Sequence, residues 1–426
     1  MRTQRTIRAT FGLMFLFFLS GLISFSKTDF LSILADAQAL QEVSPIMGFP
    51  QPSLDEKRLV KAHAQFGFQL FSTLVKANPE QNVFVSPTSV ALTLSMLYNG
   101  ATGDTKTEIA QALGIQGVEV DALNRANQTL ESDLNLQNSQ SPLIVANSLW
   151  ARQGFTFRYQ FLKNNRDYYQ DQITNLNFAS AEAKGIINRW VTDNTEGKIK
   201  NIINKIQADD VLFLINTAYF QGSWQVGFDK KLTTDKPFYV SPNTSKPYPF
   251  MSRQGTYHYL ENSQFQAIKL PYGDGQFSLS LVLPKNSNQS SQIFQDFTPK
   301  KWQKLSSKFR QTSGLLQLPR FTLNYEVDLT KTLQSLGLST MFNPSQAGFS
   351  KLTSHSAYIN GIKHQALVEF NENGKQLPSV KSMNLKVASI ISSQPQFTMI
   401  VDRPFFCLIQ DENTGAILFM GSIFTP

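Results

Sequence analysis

Histidine and cysteine, which often perform catalysis or bind metals in proteins, are scarce in this 426-residue chain. The four histidines are His63, His258, His355 and His364, and Cys407 is the single cysteine. None of the histidines has a carboxylate, a cysteine or a second histidine at the spacing that metal sites use. We therefore expect neither a metal ion nor a cofactor, and no intramolecular disulfide can form.

Short catalytic and nucleotide-binding motifs are missing from the sequence as well. Neither G-x-S-x-G, nor the P-loop pattern, nor G-x-G-x-x-G, nor H-E-x-x-H occurs. The sequence therefore contains none of the motifs that usually indicate a hydrolase, a nucleotide-binding protein or a zinc protease. The glycines of Tyr272–Gly275 lie between Pro271 and a strand-like run, which is typical of a hairpin turn. We predict that the chain is not an enzyme.

The composition fits a folded, globular protein. Hydrophobic residues make up 41% of the chain, charged residues make up 16%, and there are 34 Phe, enough to form a sizeable apolar core. The net charge of +8 allows a weak attraction to polyanions. The best local candidate is the series Lys300, Lys304 and Lys308, which we interpret first as the polar face of an amphipathic surface helix.

Helices and strands are mixed along the chain without a strict alternation. Leu54–Ala77 has apolar residues at helical spacing and ends before Pro79, so it predicts a long helix. Further helical patterns are Arg158–Tyr169, Ala181–Asn194 and Asp328–Leu336. Strand-like runs are Leu143–Trp150, Val211–Phe220, Gln266–Leu270, Phe277–Leu283, Leu315–Leu318, Ala366–Phe370, Phe397–Val401, Phe405–Gln410 and Ala416–Met420. The mixture predicts an α+β domain with large antiparallel or mixed sheets.

One stretch near the C-terminus, Gly374–Gln396, follows neither pattern. Its 23 residues hold Lys, Asn, Ser, Gln and Pro among scattered apolar residues, and a strand-like run lies on either side. A loop of this length in a compact domain usually has a function.

Several blocks of sequence, taken in order, resemble the motifs of the serpin family. The resemblance covers about Leu54–Pro426, and its main blocks are Asn82–Ser89, Leu97–Ala101, Ile187–Val191, Thr195–Ile199, Leu214–Trp224, Met399–Ile409 and Thr414–Gly421. It implies a fold of three β-sheets and eight or nine helices with an exposed reactive-centre loop.

The resemblance also implies a mechanism and a partner. The loop offers a bait bond to a serine or cysteine protease, and after cleavage its N-terminal half inserts as a new strand into the largest sheet. The attacking nucleophile belongs to the protease, which agrees with the lack of catalytic motifs. We expect a monomer that binds no nucleic acid and, once exported, no membrane.

Positions that match the family motifs carry two predicted clusters. Ser86, Ser89, Asn216 and His364 would form the shutter, a polar cluster beneath the strands that open. Trp224, Arg320 and Glu372 would form the breach, where insertion begins, with Arg320 and Glu372 ion-paired. For Ser89 and His364, ordinary capping and core hydrogen bonding is the alternative interpretation.

The residues after Gly374 depart from the inhibitory members of the family, which have Thr and a run of Ala there. The predicted hinge consists of Glu372, Gly374, Lys375, Leu377 and Pro378. Side chains of an inserted strand alternate between faces, so one register turns Lys375 and Leu377 towards the core, at a cost of several kcal/mol for an unpaired ammonium.

The other register turns Gln376 and Pro378 inward instead. In either register Pro378 lacks the N–H group that a central strand needs on one side. Insertion is therefore expected to be slow or incomplete. The alternative function is a non-inhibitory serpin: a cleavable substrate, a carrier or an interaction protein.

The family's usual distance from Gly374 places the bait bond between Ala388 and Ser389. Small residues there would suit an elastase-like or other small-pocket protease. Because Ala388–Arg403 is longer than usual, a bond further along, near Ile391–Ser393, is the alternative.

The N-terminus has the pattern of a secretory signal peptide. Three arginines precede the apolar run Phe11–Phe25, which is shorter than the ~20 residues that span a bilayer. Ala35 and Ala37 offer a cleavage site, although an uncleaved anchor is the alternative. We predict a signal peptide at residues 1–37, a linker at 38–53 and a serpin domain at 54–426, and hence a secreted, extracellular or periplasmic protein.

Overall fold

A computed structural model describes residues 54–134, 143–169, 172–206, 210–374 and 395–426. These residues belong to one unit, Pro52–Pro426. The predicted signal peptide at 1–37 and linker at 38–53 lie outside them. Among the helices so described, none is both long and apolar enough to cross a membrane.

Nine α-helices are present in the described residues. They are α1 Leu54–Ala77, α2 Pro87–Tyr98, α3 Gly103–Leu113, α4 Val120–Leu134, α5 Tyr159–Tyr169, α6 Ala183–Asn194, α7 Ser290–Gln295, α8 Pro299–Ser306 and α9 Thr330–Ser335.

Helix α2 begins at a side-chain cap that is followed by a proline. The Ser86 hydroxyl accepts a hydrogen bond from the Ser89 N–H at 3.4 Å, and Pro87 occupies the first helical position, where its missing N–H costs nothing. Every residue of α2 is buried. The helix therefore forms part of the core, and its N-terminus lies against a β-sheet.

That sheet has five strands in the order β10-β11-β4-β2-β3. The strands are β2 Leu143–Arg152, β3 Gln172–Leu176, β4 Leu212–Phe220, β10 Phe321–Asp328 and β11 Gly361–Phe370. Strands β4 and β11 are parallel, whereas β4 with β2 and β11 with β10 are antiparallel.

The remaining strands form a nine-stranded network. They are β1 Val83–Val85, β5 Thr234–Ser241, β6 Thr244–Glu261, β7 Phe265–Pro271, β8 Phe277–Pro284, β9 Arg310–Pro319, β12 Phe397–Ile400, β13 Phe405–Asp411 and β14 Ile417–Ile423. Residues 272–275 form the turn between β7 and β8, as predicted.

The described strands form two hydrogen-bonded networks rather than three separate sheets. The reason is β6, an 18-residue strand that pairs with β5 over its N-terminal half, with β9 over its middle and C-terminal part and with β7 near its end. One continuous strand thus joins what would otherwise be two sheets.

All nine predicted strand runs and all four predicted helical stretches are confirmed, with small shifts at their ends. Strands β5 and β6 were not predicted from the sequence, because most of their residues are exposed or half-buried and Pro237, Pro247 and Pro249 interrupt the pattern.

The predicted basic helix face is only partly correct. Thr298 caps α8, Pro299 is its first residue, and the helix ends at Ser306. Lys308 therefore lies beyond the helix, where its N–H binds the Leu305 carbonyl at 3.0 Å before β9 begins.

Candidate functional site

The parallel pair of strands β4 and β11 is the part of the fold into which a further strand would fit. Eight residue pairs face each other, from Gly361 opposite Phe213 to Val368 opposite Phe220. The chain that leaves β11 at Phe370 has to reverse direction to return to this sheet. A returning segment placed between β4 and β11 would be antiparallel to both. We call the β4–β11 junction the seam.

Three polar side chains from neighbouring strands lie side by side on the inner face of the sheet. His364 of β11 lies opposite Asn216 of β4, which lies opposite Asn147 of β2. The His364 Nδ1 and the Asn216 Oδ1 are 2.5 Å apart, and the Asn216 Nδ2 donates to the Asn147 Oδ1 at 2.6 Å. The His364–Asn216 bond spans the seam, so separating the strands breaks it.

The protonation state of His364 follows from its partners. The Ser86 N–H, which can only donate, points at the His364 Nε2 at 3.1 Å, so this nitrogen carries no proton. The Nδ1–H then donates to Asn216. Burial lowers the pKa of His364 to about 3, because an imidazolium would lose its hydration there. The imidazole is neutral at physiological pH.

Helix α2 covers this row from the core side. The Asn216 Nδ2 also binds the Ser89 hydroxyl and the Thr93 hydroxyl at 3.0 Å. The structure therefore brings Ser86, Ser89, Asn216 and His364 into one buried cluster, as their predicted grouping requires.

Two members of this cluster, Thr93 and Asn147, were missed by the sequence analysis. The Thr93 hydroxyl binds the Asn147 Oδ1 at 3.1 Å, and both side chains are buried. The sequence did contain a signal for Asn147, since it is an amide within the mostly apolar run of strand β2. A buried amide needs hydrogen-bond partners.

On the outer face, helix α6 covers the seam, and a lysine that follows it crosses the strands. Ile187 and Val191 of α6 pack in one apolar cluster with Tyr219 of β4 and Leu367 of β11. Beyond the helix, the Lys198 Nζ lies 2.7 Å from the Glu369 Oε1.

We call the contact among Lys198, Tyr219 and Glu369 the outer latch. The Lys198 Nζ also lies over the Tyr219 ring, 5.5 Å from its centroid, and the Tyr219 hydroxyl is 3.4 Å from the same Glu369 oxygen. The hydrogen bond to Glu369 raises the pKa of Lys198. The latch therefore links β11 to β4 and holds the segment after α6 over the seam.

At the end of the seam where β11 finishes, Trp224 receives the outgoing chain. Its indole N–H donates to the Asn371 carbonyl at 2.6 Å, and its backbone N–H donates to the Asn373 carbonyl at 2.8 Å. Its ring stacks on Tyr272 with the centroids 4.3 Å apart. The predicted breach residue therefore contacts the segment that leads into the Gly374–Gln396 loop.

The predicted ion pair between Arg320 and Glu372 is present. The Arg320 Nη1 lies 3.2 Å from the Glu372 Oε1, and the Thr233 hydroxyl donates to the same oxygen at 2.8 Å. Only 3% of the Glu372 side chain is exposed, against 48% for Arg320. The carboxylate is fixed within the protein, while the guanidinium stays partly hydrated.

Gly374 is anchored by close backbone packing. A Cβ atom at this position would lie 2.6 Å from the Gly227 Cα and 2.6 Å from the Trp224 carbonyl oxygen. These are backbone atoms that cannot give way cheaply, so only glycine fits. The first residue of the loop is therefore held beside the seam.

The remaining predicted residues lie outside the described ranges. They are the hinge residues Lys375, Leu377 and Pro378 and the bait residues Ala388 and Ser389. The geometry described here is thus that of the strands and anchors on which the loop would act.

The groups described here connect neighbouring strands through hydrogen bonds and an ion pair. His364 is fully buried, and burial also raises the pKa of the Cys407 thiol, so the thiol stays protonated. In the ranges given above, no three His, Cys, Asp or Glu side chains gather as a metal site.

Comparison with known proteins gives consistent matches. A family model described as serpin (serine protease inhibitor) matches residues 61–426. The glia-derived nexin of Mus musculus is 32% identical over 403 residues, covering 89% of this chain and 99% of that protein. The leukocyte elastase inhibitor of Equus caballus is 29% identical over 384 residues, covering 87% and 100%.

A solved structure shows the same architecture. The crystal structure of native protease nexin-1 with heparin superposes with a TM-score of 0.79 at 28% identity, over 87% of this chain and 99% of that one.

Proposed function

The chain belongs to the serpin family, and on that premise we propose that it inhibits serine or cysteine endopeptidases as a suicide substrate. The observation that carries the proposal is the seam, a directly paired parallel junction beside which Gly374 anchors the start of the loop. Serpins as a family are protease inhibitors rather than catalytic enzymes, so the reacting nucleophile belongs to the partner.

The covalent step takes place in the active site of the protease. Its serine hydroxyl or cysteine thiol attacks the carbonyl carbon of Ala388, and the bond to the Ser389 nitrogen breaks. The proton of the nucleophile passes to the new Ser389 amine, and the protease remains attached to Ala388 as an ester or thioester. An elastase-like protease is the expected type, since small residues flank this bond.

Insertion of the freed segment supplies the driving force. The single ladder between β4 and β11 is replaced by two ladders, one on each side of the new strand, and the attached protease is carried along. The His364–Asn216 bond and the outer latch must yield first. Both contacts therefore contribute to the barrier that keeps the uncleaved protein in its present form.

A specific observation favours a second candidate, a non-inhibitory serpin that is only cleaved. Every residue of β4 is buried, with α2 against the inner face of the seam and α6 against the outer one. In the central part of the seam a Lys side chain would be unfavourable on either face unless paired. Lys375, Lys381 and Pro378 all lie in the segment that would insert, and they slow or block insertion in this scheme.

We also propose that the protein acts outside the cytoplasm. Support comes from the arginines and the short apolar run near the N-terminus. The single cysteine leaves the fold independent of disulfides. Detection of the chain without residues 1–37 in the culture medium or periplasm of an expressing cell would support export, and full-length protein confined to the cytoplasm would contradict it.

The test of the inhibitory function is incubation of the protein with a panel of serine and cysteine proteases, an elastase among them. An SDS-resistant complex with a protease, together with a large rise in melting temperature after cleavage, is the expected result. A clean cut within Gly374–Gln396 with an unchanged melting temperature would contradict inhibition and establish the second candidate.

A loop variant separates the role of the hinge from that of the rest of the loop. If the parent is cleaved without complex formation, Lys375→Thr combined with Pro378→Ala should restore the complex, because it removes a charge and returns a missing N–H. The matched control, Gln394→Ala with Gln396→Ala, lies beyond both candidate bait bonds and should change nothing. Equal behaviour of the two double variants would exclude the hinge explanation.

A further inference from the structure

A groove lined by residues between Leu260 and Lys308, none of which belongs to the seam, combines an apolar floor with a basic rim. It has a volume of about 390 Å³ and lies between the β6–β7 turn and the helices α7 and α8. We call it the α7–α8 groove. Ligand pockets in proteins usually have volumes of ~300–1,000 Å³, so the groove is large enough for a small organic molecule.

The floor of the groove is made of apolar side chains from β6, β7, α7 and α8 and from the connection between the two helices. Phe265 of β7, Phe297 and Leu305 are buried, and Leu260 of β6 and Ile293 of α7 are half-buried against the main core. A groove open to solvent over such residues leaves apolar surface that a ligand could cover.

Three lysines form one rim. Lys301, Lys304 and Lys308 line the groove together with Leu305, because positions three, four and seven apart share one face of a helix and the turn that follows it. None of the three lysines takes part in a salt bridge within the described residues. Their charges are available to a ligand.

Two carboxylates also line the groove, but they do not neutralise the positive charge of the three rim lysines. The Glu261 Oε1 lies 2.6 Å from the Lys285 Nζ, so its charge is already paired. The Asp296 Oδ1 accepts a hydrogen bond from the Gln292 Nε2 at 3.0 Å. Three ammonium groups thus face one unpaired carboxylate, and the rim favours an anion.

We propose that the α7–α8 groove binds a small amphiphilic anion, with its apolar body on the floor and its carboxylate or sulfate group at Lys301, Lys304 and Lys308. Exposed charge pairs contribute little affinity by themselves, so an inorganic anion gains too little there. An uncharged apolar molecule gains nothing from the rim. A molecule that has both parts uses the whole groove.

This proposal is independent of protease inhibition. The lining of the groove shares no residue with the seam, the outer latch or the breach. Failure of either proposal therefore leaves the other standing, and ligand binding is expected without cleavage of the loop.

The test uses dodecanoate as the probe and isothermal titration of the intact, uncleaved protein, below the concentration at which the probe forms micelles. Saturable binding of one dodecanoate per chain is expected. The triple variant Lys301→Gln, Lys304→Gln, Lys308→Gln should bind about tenfold more weakly. The matched control is Lys300→Gln, which changes a lysine of the same helix that does not line the groove, and its affinity should equal that of the parent.

Other probes distinguish the part of the ligand that is recognised. Dodecylamine and inorganic sulfate should each bind more weakly than dodecanoate. Equal affinity for dodecylamine, or an equal loss in the Lys300→Gln control, would overturn the proposal. So would binding of a sulfated polysaccharide that depends on the three rim lysines without any binding of dodecanoate, since the apolar floor would then have no role.

Discussion

The seam and the centre of the nine-stranded sheet both consist mainly of buried residues, yet different side chains hold them together. Strand β13 pairs antiparallel with β8 and β14, and Leu408 and Ile409 at its centre are buried. At the centre of the seam, two of the eight facing pairs are polar on both sides, His364 with Asn216 and Gln365 with Thr217.

The difference indicates which junction the proposed loop insertion would open. Separating β13 from its neighbours would expose apolar surface, and no incoming group could replace what is lost. Separating β4 from β11 breaks a parallel ladder, which is slightly less stable per residue than an antiparallel one, and a few directed hydrogen bonds. Within the proposed inhibitory mechanism, an inserted strand would restore the ladder that opening of the seam breaks.

The largest expected effect comes from the apolar sheet. Leu408→Ala should lower the free energy of unfolding by ~2–5 kcal/mol, since it leaves a cavity in a fully packed core. Urea unfolding of the uncleaved protein measures this loss. Amide hydrogen exchange that occurs in β4 and β11 through local opening should keep its parental rate. Faster local exchange there would show that the two sheets are not independent.

The next effect should arise within the seam. Asn216→Ala removes the acceptor of the His364 Nδ1–H and a donor to Asn147, and an unsatisfied buried group costs ~1–3 kcal/mol. Amide exchange should accelerate in β4 and β11 first. The control is Ser280→Ala in β8, whose buried hydroxyl has no hydrogen-bond partner among the described residues. It should leave both exchange and stability nearly unchanged, and equal acceleration in the two variants would contradict a special role for the seam.

The third effect depends on pH. The pKa of His364 is about 3 in the folded protein, against an ordinary value of 6.5, so between these values the unfolded chain binds a proton that the folded protein does not. Stability therefore falls as pH decreases through that window. By pH 5 the loss due to His364 is about 2 kcal/mol, at ~1.4 kcal/mol per pH unit.

The measurement is the urea midpoint between neutral pH and pH 5. His364→Gln should flatten the dependence and also accelerate exchange at the seam. His63→Leu is the control, because burial lowers the pKa of His63 to about 4 and His63 lies on α1, outside the strands of the seam. It should flatten the dependence without affecting exchange. An unchanged slope in His364→Gln would contradict the assignment of a buried neutral imidazole.

Sequence reasoning predicted the helices and strands more completely than the contacts between them. The shutter residues and the Arg320–Glu372 pair were predicted because their positions match those of the serpin family. Asn147 was missed, since its position opposite Asn216 depends on the β2–β4 register, which no local pattern determines. The same holds for Lys198 and Glu369, which are 171 residues apart.

The predicted basic series near α8 and the rim of the α7–α8 groove differ by one lysine. Spacing suggested Lys300, Lys304 and Lys308, but the groove is lined by Lys301, Lys304 and Lys308. The Thr298 cap and Pro299 fix where the helix starts, and the packing of α8 against its neighbours fixes its rotation. That rotation is a tertiary property, and a series of lysines alone does not reveal it.

The smallest effect on stability is expected at the outer latch, where the two sheets offer matched ion pairs. Lys198 and Glu369 are 2.7 Å apart across the seam, and Lys269 and Glu412 are 2.8 Å apart on the nine-stranded sheet. Partly exposed pairs of this kind contribute ~0.2–1 kcal/mol, so Lys198→Met and Lys269→Met should lower stability by similar small amounts. Only Lys198→Met frees the segment after α6 from β11, and it should therefore accelerate amide hydrogen exchange in β4 and β11. If Lys269→Met accelerated amide exchange in these strands equally, the outer latch would be an ordinary surface ion pair. The barrier to opening the seam would then come only from the buried cluster around His364 and Asn216.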